Sequence, residues 1–261
     1  MPVENRPLIL SIETATRTGS VAITSGQRLI ASREGAAQSS HSTTLLSDID
    51  AILKEAGASL RDVDLFAVAV GPGSFTGLRI GLATAKSFAA TLSRPCVGIP
   101  TLFAVAHAAG ASERTLAMLP AGRGEVFAQL LSVGENGAVR AAGSAVHLPP
   151  RTLLDLAGDI FPLKWAGEGA HLHAAAIRDQ ALTNSIEFRG EGHEGHTSPP
   201  PKERLWVLAP PVRALAGVVA ALGLRQFESG DACRPEDLRA IYVRPSDAEL
   251  NEQCRKQKLE G

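Results

Sequence analysis

The sequence is poor in the features that announce most specialised functions. It has three cysteines in 261 residues, Cys96, Cys233 and Cys254, with no CxxC spacing among them. That pattern argues against a disulfide framework or a zinc site and fits a reducing, cytoplasmic setting. Charge of one sign is also missing: 26 Lys and Arg stand against 27 Asp and Glu, a formal net charge of −1. No global basic field exists to hold nucleic acid, so any RNA would have to be held by a local patch or through a partner. No charge-free apolar run reaches the roughly 18 residues of a membrane span. The opening MPVENRPLILSIET has neither a basic leader nor a long apolar stretch, so no signal peptide is expected.

What is present is 44% hydrophobic residues over a length that can bury a large core as one domain or two lobes. The pattern is organised around Leu65–Leu92. Leu65–Val70 reads as a buried strand, Gly71-Pro72-Gly73 breaks it, and a helix capped by Ser74 or Thr76 runs on to about Ser93. Along that helix Gly73, Gly77, Gly81, Ala85 and Ala89 recur every fourth residue, beside an apolar stripe of Leu78, Leu82, Phe88 and Leu92. Glycine inside a helix costs roughly 0.5–1 kcal/mol relative to alanine. A close neighbour must offset that, either another element of the chain or another protein. Arg79 and Lys86 argue against a membrane.

Upstream, three short strands (Leu8–Ile12, Ser20–Thr24, Arg28–Arg33) form a meander, and His41-Ser42 opens a helix ending at Gly57. Leu45, Leu46, Ile49, Ile52, Leu53 and Ala56 line one of its faces. Downstream come a strand at Cys96–Ile99 and a helix over Leu102–Ala109 capped by Thr101. Three more strands follow (Thr115–Ala121, Glu125–Val133, Ala138–Leu148), then a helix over Thr152–Ala157, a strand at Leu163–Ala166 and a helix over His171–Ala181. The order βββαβα thus appears twice. Thr183–Lys202, polar and rich in glycine and proline, reads as a mobile loop. A strand at Leu205–Leu208, a helix over Pro210–Phe227, an extended Leu238–Val243 and a charged tail complete the chain.

The motifs suggest several chemistries and satisfy few of their requirements. GPGSFTG has the strand–glycine turn–helix form that offers backbone N–H groups to phosphate, but no Lys-Ser/Thr follows its last glycine, so it is no Walker A loop. Its glycines at 71, 73 and 77 are one residue too long for a dinucleotide fingerprint. Ser74 sits where a hydrolase nucleophile would, yet Gly77 is one residue too far for G-x-S-x-G. His171-x-His173 and His193-x-x-His196 lack a matching set of metal ligands. Glu13, in the turn ETATRTGS, could approach a metal–nucleotide. A two-lobed ATPase needs acidic groups from both halves, and the corresponding Pro120–Gly124 turn has none before Glu125.

The repeated order resembles the two lobes of the actin-like ATPase superfamily. More specifically, ILSIETAT, HSTTLLSDIDAILKEAG, AVGPGSFTGLRIGLATAKSFA, GIPTL, RGEVFAQL and AIYVRPSDAEL follow one another as in the bacterial TsaB family, formerly called YeaZ. The resemblance covers most of Leu8–Leu131 and Ile241–Leu250. It implies an α/β, two-lobed actin-like fold, each lobe βββαβα with a mixed sheet: residues 1–110 as the first lobe, 111–243 as the second with a returning helix, and 244–261 as a tail. It further implies a non-catalytic scaffold or activator that pairs with a TsaD-like paralogue and a TsaE-like ATPase. That machinery places threonylcarbamoyl on the adenosine next to the anticodon of tRNA. The chain would meet tRNA through the complex, with ATP and metal on the partners and no cofactor of its own. The family pairs, with TsaD or with a second copy of itself, through first-lobe helices matching His41–Ala56 and Ser74–Leu92. The implied contacts are Leu45, Ile49, Ser74, Phe75, Leu78, Arg79, Leu82, Ala85 and Lys86, with Gly77 and Gly81 permitting close approach. Two positions depart from the family pattern: Glu13 replaces an aspartate, and Pro120-Ala121-Gly122 replaces Asp-Ala-Arg. The competing reading is a standalone ATPase or peptidase of the same fold.

Overall fold

A computed structural model of the chain describes residues 6–35, 41–190 and 204–243. The first lobe runs β1 (Leu8–Glu13), β2 (Ser20–Ser25), β3 (Arg28–Glu34), α1 (His41–Glu55), β4 (Leu65–Gly71), α2 (Phe75–Leu92), β5 (Cys96–Pro100) and α3 (Thr101–Ala108). The second runs β6 (Ser112–Gly122), β7 (Glu125–Val133), β8 (Val139–Ala141), β9 (Val146–Leu148), α4 (Pro150–Ala157) and β10 (Leu163–Ala166). It continues with α5 (Glu168–Leu172), α6 (Ala174–Thr183), β11 (Glu187–Arg189), β12 (Leu205–Leu208) and α7 (Ala216–Glu228).

The two sheets repeat one topology. The first has the order β3-β2-β1-β4-β5, antiparallel through the meander and parallel from β1 to β5. The second has β8-β7-β6-β10-β12, with β11 added at the far edge and β9 also pairing β7. Parallel neighbours need crossover helices, and those helices cover both faces of each sheet. β4 shows the consequence residue by residue. Phe66, Val68 and Val70 join the core under α1 and α2, while Leu65, Ala67 and Ala69 join the core shared with α3 and α7. A strand covered on both faces has no solvent side, which is why Leu65–Val70 reads as an unbroken apolar run.

The layers therefore run α1/α2, first sheet, α3/α7, second sheet, α4/α5/α6. The helix α7 follows the second sheet in sequence but packs on β1, β2, β4 and β5 of the first. Duplicated mixed sheets with crossover helices between and outside them make this the two-lobed actin-like architecture. The outer core of the second lobe centres on Trp165 and Trp206, fully buried and edge-to-face at 4.9 Å and 68°. The indole N–H of Trp206 donates to Ile160 O at 3.2 Å. Trp206→Ala is expected to cost about 3–5 kcal/mol through lost burial and the cavity left behind. Urea unfolding followed by circular dichroism reads this as a lower midpoint with little change in slope.

The structure corrects several boundaries. Ala138–Leu148 forms two short strands because Gly143–Ala145 leave the ladder after Ala142 N donates to Leu130 O at 2.9 Å. The helix expected over His171–Ala181 divides at His173, whose φ of −109° and ψ of 19° are not helical. The helix expected from Pro210 begins at Ala216, whose N–H donates to Ser20 Oγ at 3.0 Å. Pro210-Pro211 disfavours helix in the preceding residue and supplies no N–H donors. Thr101 does not cap α3; the N-cap position is Pro100. Thr101 is the first residue of α3, and its Oγ1 accepts from Gly71 N at 3.2 Å. Part of the expected loop is structured too: Thr183 ends α6 and Glu187–Arg189 is β11. Residues 191–203, with His193 and His196, and the tail 244–261 lie outside the described residues.

Candidate partner-docking face

The glycine-striped helix α2 lies on the outside of the first lobe, and its two sides differ sharply. Ser74 caps it, with Oγ accepting from Gly77 N at 3.2 Å, and Ser74 N donates to Ala15 O at 2.7 Å. The stripe faces inward. A Cβ placed on Gly77 would overlap Thr14 O, and one on Gly81 would overlap Thr14 Oγ1 and reach Ile12 Cγ2 at 3.4 Å. The Thr14 hydroxyl donates to Gly77 O at 2.7 Å, so the helix sits directly on the turn after β1.

This corrects the expectation that the stripe receives a partner's helix. Gly77 and Gly81 are buried against the chain's own β1 and its turn. Leu78, Leu82 and Ala85 on α2, and Leu45 and Ile49 on α1, are likewise core residues. The physical reason lies in the helical period. The face that carries the apolar residues packs on the nearest apolar surface, which is the chain's own sheet. None of these seven residues forms part of an outer surface.

Four of the expected positions do reach the surface. Ser74 and Arg79 are exposed, and Phe75 and Lys86 are half-buried. The Arg79 guanidinium lies 3.9 Å over the Phe75 ring, and Lys86 Nζ donates to Leu238 O at 3.1 Å. Between and beyond them the outward positions of α2 are Thr76, Ala83, Ser87, Ala90 and Thr91, all exposed. Alongside, α1 presents Leu46, 62% exposed despite its apolar side chain. The 18 residues of α2 contain no carboxylate, and its two cations already contact neighbours. The outer side of α2 is thus small-residue and free of carboxylates, while α1 beside it exposes Asp50, Lys54 and Glu55, with Lys54 Nζ 2.6 Å from Asp50 Oδ2.

The extended segment Leu238–Val243 borders that face, a placement its sequence does not disclose. After α7 the chain returns across the GPG turn: Ile241 N donates to Val70 O at 2.7 Å, and the Tyr242 ring stands 5.3 Å from Phe75. Leu238 packs among the α1/α2 core. The motif AIYVRPSD was the available signal, but no periodicity tied it to α2.

The candidate metal–nucleotide residues lie at the turns that follow β1 and β6. Glu13 is fully buried, its Oε1 accepting from Thr16 N and its Oε2 from Thr16 Oγ1, each at 2.7 Å. Its carboxylate folds back on its own turn. In the second lobe, Glu125 lies 2.8 Å from His147 Nε2. His171 Nε2 is 2.9 Å from Ala209 O. Among the described residues no cluster of three or more His, Cys, Asp or Glu could hold a metal ion, and no helix is long and apolar enough to cross a membrane.

Fold and face together define a two-lobed actin-like protein whose first lobe presents an outer helix, α2, without carboxylates. Comparison with known proteins narrows this. The family model for TsaD, tRNA N6-adenosine threonylcarbamoyltransferase, matches residues 27–192, more than half of the chain. The chain belongs to this family, with its TsaB (YeaZ) members. The tRNA threonylcarbamoyladenosine biosynthesis protein TsaB of Escherichia coli is 36% identical over 132 residues, 49% of this chain and 57% of that protein. TsaB of Haemophilus influenzae is 35% identical over 122 residues, 46% of this chain and 51% of that one. The matched stretch thus spans about half the length of these curated relatives. YeaZ from Pseudomonas aeruginosa has the same fold, with a TM-score of 0.68 at 24% identity over 90% of this chain and 99% of that one.

Proposed function

We propose that this chain is a non-catalytic subunit in the biosynthesis of threonylcarbamoyladenosine in tRNA, and that it acts by pairing with a TsaD-like partner through the outer face of α1 and α2. The observation that carries the reading is the character of that face. A helix of 18 residues without one carboxylate, exposing alanine, serine and threonine beside an exposed Leu46, suits close helix-to-helix docking. An interface core is depleted in charge because each unpaired ion removed from water costs several kcal/mol, which suits α2 to the core of such a contact and the charged side of α1, with Asp50, Lys54 and Glu55, to its rim.

The non-catalytic part rests on the donor set. The one acidic residue of the first turn is committed to Thr16, and the second-lobe turn Gly122-Arg123-Gly124 offers no carboxylate. These residues do not fit a nucleotide-bound magnesium, which needs carboxylate and water ligands free to coordinate it. ATP and metal then belong to the TsaD-like and TsaE-like partners, and tRNA meets the chain through the assembly.

Mixing the purified chain with the TsaD-like protein of the same organism, followed by size-exclusion chromatography with light scattering, tests this. A 1:1 complex is expected. Absence of a complex with and without ATP, or Mg-ATP turnover by the chain alone, would overturn the reading in favour of an independent enzyme.

A further inference from the structure

Two cysteines that stand 137 residues apart in the sequence are neighbours in the fold. Cys96 opens β5, the edge strand of the first sheet, and Cys233 lies just after α7. They form an isolated antiparallel pair: Cys96 N donates to Cys233 O at 3.0 Å, and Cys233 N to Cys96 O at 2.8 Å. Their Sγ atoms are 3.7 Å apart and both thiols are free. A hydrogen-bonded antiparallel pair holds its Cα atoms about 5.5 Å apart. That lies within the roughly 4.4–6.8 Å that a disulfide spans, so the sulfurs can close with side-chain rotation and a small backbone shift. Exposure is asymmetric: Cys96 is fully buried and Cys233 only half-buried. A single buried cysteine reads as a small apolar side chain. Two in register across a sheet edge, one of them reachable from solvent, have chemistry available to them.

We propose that Cys96 and Cys233 are an oxidisable dithiol whose disulfide fastens the segment Ala232–Val243 to the first lobe. The oxidant is a low-molecular-weight disulfide such as glutathione disulfide. The half-buried Cys233 reacts first. Its thiolate attacks one sulfur of the small disulfide, that S–S bond breaks, and one small thiolate leaves. Cys96 then gives its proton to water and attacks Cys233 Sγ, expelling the second small thiol. Two protein thiols lose two electrons and two protons, and the small disulfide gains them as two thiols.

The order matters for the second step. Burial pushes the Cys96 thiol up to about 12, and the charge of the Cys233 thiolate pushes in the same direction. Once Cys233 is in the mixed disulfide it carries no charge, so that repulsion is gone when Cys96 must ionise. The Lys86 ammonium favours the Cys96 thiolate, while Glu236 opposes it. The segment held by the cross-link is the one that bonds Lys86 through Leu238 O and Val70 through Ile241 N, and that places Tyr242 on Phe75.

The test uses the full chain with Cys254→Ser, which leaves only the proposed pair. The native protein is incubated with glutathione disulfide, quenched by alkylation in denaturant, weighed intact and peptide-mapped. A loss of about two mass units with the Cys96 and Cys233 peptides joined is expected, reversed by a dithiol reductant. The oxidised form should melt about 5–15 °C above the reduced one, because the cross-link restrains the unfolded chain. Adding Cys233→Ser should abolish both the cross-link and the shift. Glutathione retained on Cys233 with an alkylated Cys96, or two alkylated cysteines, would overturn the proposal.

Discussion

Gly81→Leu is expected to destabilise the isolated chain by about 3–5 kcal/mol or to prevent its folding. Any Cβ at this position overlaps Thr14 Oγ1, and a leucine would extend toward Ile12, which is fully buried in β1. Overpacking a filled core costs about 1–3 kcal/mol, occasionally more. The displacement also breaks the bond from the Thr14 hydroxyl to Gly77 O, and an unpaired buried polar group adds about 1–3 kcal/mol. Set against a total stability of about 5–15 kcal/mol, the loss is large. Ala83→Leu, on the exposed side of the same helix, is the matched control and should stay within about 0.5 kcal/mol of the parent. Urea titrations of the three proteins, followed by circular dichroism, decide the matter. A Gly81→Leu variant as stable as the parent would mean that the stripe does not bear on β1.

The same helix shows what the sequence discloses and what it withholds. Its small residues at every fourth position are visible in one dimension, and so is the need for something to lie close against them. The neighbour is Thr14, 63 residues earlier and hidden in a polar turn with no pattern of its own. Periodicity reports which face is small but carries no information on what covers it, so the chain's own turn and a partner's helix were indistinguishable. The strands were legible where burial is two-sided, as in β4, or where short turns force pairing, as in the meander. β11 was not legible, because three residues, Glu187-Phe188-Arg189, beside a glycine- and proline-rich stretch carry too short an alternation to register. The Cys96–Cys233 pair and the Tyr242–Phe75 contact were out of reach for the same reason as Thr14: both are products of tertiary closure between segments far apart in the chain.

The outward side of α2 yields the second large effect, and it separates binding from folding. Ala83→Arg combined with Ser87→Arg should weaken the complex with the TsaD-like partner about 100-fold or more while leaving the melting point of the free chain within about 2 °C. Both positions are exposed, so in the free chain the new guanidinium groups stay hydrated. In a docked complex they would be stripped of water against a face with no carboxylate on α2 to pair with, and an unpaired buried charge costs several kcal/mol. About 2.8 kcal/mol suffices for a hundredfold loss. Leu182→Arg is the control for general surface charge: Leu182 is 68% exposed and sits on α6, in the outer layer of the other lobe. It should leave binding unchanged. If the double arginine variant still forms the 1:1 complex at parental strength, the outer face of α2 is not the docking surface. If Leu182→Arg weakens it as much, the partner binds the second lobe. Only loss confined to the α2 variant, with its melting point preserved, ties the absence of acidic residues on this helix to recognition.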